Sequence, residues 1–153
     1  MKRIKVALDV NIPPRLARLL NTGFGDQGFE FSSVTSFAAG SSADEVWAAA
    51  FRRFGGQVVL SGDKHIAKRP HQILAFQEND LICFFCDRRW SSADLSYKVA
   101  HIMYWWPAIQ AHLDKCKPRD CWWVPMPVSR AEFRKVELPT HAAKKARAAR
   151  KSG

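Results

Sequence analysis

At 153 residues, 47% of them apolar and 25% charged, the chain has the composition of one globular domain with a sizeable core. A formal net charge of +10 favours polyanionic partners. No apolar run approaches the roughly 18 residues of a membrane span, the start is too short in apolar residues for a signal peptide, and four cysteines make no disulfide framework; a cytoplasmic protein is expected.

Ile4 to Leu8 predicts a first strand running into Asp9. Pro13 and Pro14 suit the first turn of a helix, and Leu16, Leu19 and Leu20 mark its apolar face, with Gly23 and Gly25 ending it. Phe29 to Val34 predicts a second strand, interrupted by Ser32 and Ser33. Ser42 with Glu45 fits a capping box for a helix whose stripe is Val46, Trp47, Ala50, Phe51 and Phe54. Gly55 and Gly56 then lead into Val58-Val59-Leu60. That short run, with two β-branched residues, reads as a strand buried on both faces, and Asp63 follows it.

Beyond Pro70, His71 to Glu78 predicts a short helix, and Leu81 to Cys86 a strand ending in Asp87. Leu95, Val99, Ile102, Trp106, Ile109 and Leu113 recur by three and four along a long helix, which Pro107 should kink. Cys121 to Val124 is the last strand, and Phe133 to Leu138 a short edge segment. The domain is expected over 1–139. A basic tail over 140–153 carries Lys144, Lys145, Arg147, Arg150 and Lys151.

This alternation predicts a three-layer α/β/α domain with a mainly parallel central sheet. Asp9, Asp63 and Asp87 would share the carboxyl edge of that sheet, where ligands bind in open α/β folds. Asp44 would join them from the first turn of a helix entered at the same edge. Carboxylates crowded at one rim repel, and a cation resolves the repulsion. In a basic protein they point to Mg²⁺ or Mn²⁺ and a phosphodiester substrate. Lys64, Arg88 and Arg89 are candidates to hold phosphates, and Ser61 to bond a carboxylate or a metal-bound water. His65 is a rim residue more than a catalyst.

Each feature also has a local reading. Asp after a strand makes Asx-turns, the plainer account of Asp87, and Asp44 suits a helix dipole. Cys83 and Cys86, three apart in a strand, face opposite ways and suit zinc badly. Trp105, Trp122 and Trp123 could stack on bases or meet a partner, whereas Trp106 belongs to the core.

Asp9-Val10-Asn11-Ile12-Pro13-Pro14-Arg15-Leu16, Asp44-Glu45-Val46-Trp47 and Ser61-Gly62-Asp63-Lys64 resemble the successive motifs of PIN-like domains, in the small bacterial branch related to VapC-type toxins. The resemblance covers about residues 4–87. It implies a metal-dependent endoribonuclease, the toxin of a toxin–antitoxin pair, with Asp9, Asp44 and Asp63 as the acidic metal cluster and Asp87 as a candidate fourth ligand. The expected cofactor is Mg or Mn. The expected partners are RNA, an antitoxin protein and a second copy of the chain, with no membrane. Two departures stand out: Asn11 and His65 occupy positions where many relatives carry a carboxylate. They keep open a second reading, a PIN-like RNA- or protein-binding module without cleavage. A phosphatase or DNA nuclease with the same cluster is a third.

Overall fold

The computed structural model describes residues 3–36 and 44–127. The expected capping Ser42, the edge segment at 133–138 and the basic tail lie outside the described residues. Among those described, β1 (Ile4–Leu8), β2 (Phe29–Ser33), β3 (Gly56–Ser61), β4 (Ile82–Cys86) and β5 (Cys121–Val124) form one sheet in the order β2-β1-β3-β4-β5. Every pairing is parallel. Parallel neighbours need crossovers, and helices supply them: α1 (Arg15–Phe24), α2 (Asp44–Arg53), α3 (Pro70–Glu78) and α4 (Leu95–Leu113).

Alternating strand side chains feed two cores. Val6, Leu8, Val58, Leu60, Phe84 and Cys86 pack with Leu16, Leu20, Ile102, Trp106 and Ile109 beneath α1 and α4. Ala7, Val59, Cys83 and Phe85 pack with Trp47, Phe51 and Phe76 beneath α2 and α3. These are the expected three layers. Trp106 is the hub of the first core, with Phe29 and Phe31 meeting its ring edge-on at 5.2 and 4.6 Å. Such pairs contribute beyond the area they bury. Cys83 and Cys86 fall in opposite cores, so period two does separate them.

Several local expectations shift. Leu19 is exposed and Ala17 takes its place on the buried face of α1. Helix α1 passes through Gly23, and Gly25 is its C-cap. Val46 and Phe54 stand exposed rather than joining the stripe of α2. Leu95 lies exposed at the start of α4, and that helix continues through Pro107 to Leu113. No described helix is long and apolar enough to cross a membrane.

Candidate active site

Strands β1 and β3 are neighbours, and the Asp9 N–H donates to the Leu60 carbonyl across them at 3.1 Å. Asp9 and the loop after β3 therefore meet at the carboxyl edge. Asp9 is buried, and so are Ser61 and Asp63. Ser61 joins them: its hydroxyl donates to Asp9 Oδ2 and accepts the Asp63 backbone N–H at 3.2 Å. One small side chain thus ties two acidic residues 54 positions apart in sequence.

Asp9 Oδ1 accepts the Asn11 N–H at 3.0 Å and the Gly62 N–H at 3.3 Å. These donors do not offset desolvation. Burial pushes the Asp9 carboxyl up from 3.8 to about 6, against the lowering effect of Ser61, Gly62 and Asn11. Burial thus disfavours the charged form of Asp9, and a cation at its oxygens would favour it.

Gly62 lets the loop close over this carboxylate. A Cβ there would stand 2.6 Å from the buried Trp90 ring. Trp90 is fixed in the first core and belongs to the turn Arg88–Ser92, so it braces the loops after β3 and β4 against each other.

Asp63 uses Oδ1 to accept the His65 N–H at 2.9 Å, an Asx-turn, and Oδ2 to pair with Arg69 Nη1 at 3.2 Å. Asp87 stands at the same edge after β4. Its Oδ1 caps the following turn through the Arg89 N–H at 2.9 Å. Arg89 Nε then donates to Oδ1 at 2.9 Å and Nη2 to Oδ2 at 3.1 Å. That fork holds the Asp87 carboxyl down at about 2. Burial raises the thiol pKa of Cys86 at the end of β4, and the charges of Asp9 and Asp87 add to the effect. Helix α2 returns the chain from β2 to the parallel β3, so it runs against the strands and starts at the carboxyl edge with Asp44. The Asp44 side chain lies outside the described residues. Among the described residues no group of three or more His, Cys, Asp or Glu could hold a metal ion.

Beside the acidic loops lies an open basic pocket of about 330 Å³, lined by Lys64, His65, Lys68, Arg88, Arg89 and Ser92. The sequence reading named four of these. It missed Lys68, Ser92 and Arg69, and it quoted Gly62 in a motif without giving it a role. Arg69 could have been suspected, because a cation six residues after Asp63 returns to it across one tight turn.

The sequence model of the PIN like domain family matches residues 4–88, from the start of β1 to just past Asp87. The chain belongs to the PIN-like domain family. The match covers both Asp9 and Asp63 and the loops that hold them, while α4 and β5 lie beyond it. No curated protein and no solved structure matches the chain. PIN-like domains are commonly nucleases, which makes a nuclease-type function the general expectation for the chain. The narrower toxin branch is a finer relationship than the family match reaches.

Proposed function

We propose that this PIN-like domain is a divalent-metal-dependent ribonuclease working at Asp9 and Asp63, with Asp44 as the third carboxylate. The supporting observation is the Ser61 bridge. It sets a buried, destabilised carboxylate beside a second acidic loop, next to a basic pocket. The Asp9 carboxylate and the Ser61 hydroxyl meet there, and with the carboxylates of Asp63 and Asp44 they would offer oxygen donors that suit Mg²⁺ or Mn²⁺ with water completing the shell. Such an ion polarises a phosphoryl oxygen and lowers the pKa of bound water.

The chain's own residues do the rest. Ser61 and the Gly62 N–H fix the rotamer of Asp9. The His65 N–H fixes Asp63. Lys64, Lys68 and Arg88 supply positive charge for a phosphate backbone. Asp87, with both oxygens on Arg89, serves as a loop cap in this reading.

Incubating purified protein with single-stranded RNA, single-stranded DNA and a phosphomonoester, with Mn²⁺ or EDTA, tests the reading. Cleavage of RNA that needs Mn²⁺ and is lost in Asp9→Asn and Asp63→Asn, both still folded, supports it. RNA cleavage that persists in EDTA or in the Asn variants refutes it. By the family resemblance we also read the protein as a toxin. Expression of the native chain should arrest growth, and the Asp9→Asn chain should not.

A second reading, an RNA-binding module without cleavage, has its own support: Asp63 already carries a cation of the chain, and Asn11 and His65 bring no negative charge. RNA binding with no cleavage under any metal would favour it.

A further inference from the structure

The Arg69–Asp63 pair lies at the acidic edge, and the ribonuclease reading gives Arg69 no part. Asp63 is buried and its side chain only 10% exposed, whereas the Arg69 side chain is 43% exposed. The contact is single: one Nη1–Oδ2 bond of 3.2 Å, not the bidentate fork that Arg89 makes with Asp87. The backbone closes the loop without it. Ile66 N–H donates to the Asp63 carbonyl at 3.2 Å, Arg69 N–H to the Ile66 carbonyl at 3.0 Å, and His65 N–H caps Oδ1. Asp63 is therefore held in place on one oxygen, and the guanidinium occupies the other.

We propose that Arg69 is a built-in counter-cation for Asp63, which a divalent ion must displace to load the site. The inference rests on the metal-dependent reading above. The competition follows from charge. Two cations on one carboxylate repel, and a half-exposed guanidinium with one bond can swing into water at small cost. Arg69 directly follows Lys68, one of the residues that line the basic pocket. The arrangement keeps a cation on Asp63 when metal is scarce.

The test measures Mn²⁺ affinity of the whole chain without RNA, by calorimetry, for the native protein, Arg69→Gln and Arg69→Lys. Removing a competing unit charge at this range should tighten Mn²⁺ binding about tenfold in Arg69→Gln, screening included. Arg69→Lys retains the charge and should stay within about threefold of native. A purely structural clamp predicts the opposite, weaker or unchanged binding in Arg69→Gln, and that result overturns the proposal. If neither native protein nor Arg69→Gln binds Mn²⁺, the metal-dependent reading itself falls, and this inference with it. Equal binding by both sinks the inference alone.

A measurement on the native chain guards against a variant that does not fold. The Arg69 side-chain nitrogen signals, followed by NMR, should shift and sharpen as diamagnetic Mg²⁺ saturates the site. Signals unmoved at saturating Mg²⁺ would refute displacement.

Discussion

Replacing Asp9 by Asn should stabilise the protein while abolishing its metal response. The native carboxyl sits at about 6 in the folded chain against 3.8 for the ordinary value, because burial penalises its charge. A difference of about 2 units corresponds to about 3 kcal/mol between the two protonation states. The folded protein binds this proton more tightly than the unfolded chain does. The contribution to stability is therefore full below about pH 4, and it is lost as pH rises through about 6. At pH 8 without divalent ions the native protein bears the whole penalty. Asn keeps the shape and Oδ1, which still accepts from Asn11 and Gly62, but its amide meets the Ser61 hydroxyl where Oδ2 did. Re-forming that contact costs about 1 kcal/mol, which leaves a net gain of about 1–2 kcal/mol. For a chain of this size that is about 3–6 °C in Tm. Melting curves in EDTA at pH 5 and pH 8 check it: the variant should melt higher at pH 8, with the gap narrowing at pH 5. Mn²⁺ should raise the native Tm and leave the variant unmoved. A variant less stable than native at pH 8, or a gap independent of pH, would refute the reasoning.

Gly62→Ala should force the Asp63 loop away from Trp90 and cost about 1–3 kcal/mol with loss of cleavage, whereas Gly25→Ala, with nothing within 4 Å of its new Cβ, should be near neutral by the same melts. Lys64→Ala with Arg88→Ala should weaken RNA binding and flatten its salt dependence by about 2 in the log–log slope, with turnover at saturating RNA unchanged; an unaltered slope would remove the basic pocket from the RNA path. Deleting 140–153 removes five Lys or Arg charges outside the described core; RNA affinity titrated against salt should show the same kind of flattening if the tail touches phosphate, and no change if it does not.

Much of the architecture was legible because its signals are local and repeated. The Val58-Val59-Leu60 run between glycines, with two β-branched residues, reads as a doubly buried strand and is one, and the recurrence from Val99 to Ile109 gave α4 its buried face. Misreadings came where tertiary packing decides. Leu19 and Leu20 share one helix arc in the sequence, but the core beneath α1 reaches only Leu16, Ala17 and Leu20. Val46 satisfies the pattern of α2 and still faces away from it. Periodicity fixes an arc about 100° wide, not where the sheet lies beneath it.

The candidate site shows the same division more sharply. Asp9, Asp63 and Asp87 each follow a strand, and each spends Oδ1 on an N–H two residues later. On that local criterion the three are the same Asx-turn, and the structural reading of every one is correct. What separates them is the other oxygen. Asp9 gives it to Ser61, which approaches from the neighbouring strand. Asp63 gives it to a singly bonded arginine, and Asp87 to a forked one. A turn cap and a ligand are therefore not rival roles for one aspartate here, because the cap uses one oxygen and orients the second. The cap is local and can be read from the sequence. The Ser61 partnership depends on β1 and β3 lying side by side, with β2 outermost, and no stretch of sequence around Asp9 contains that fact.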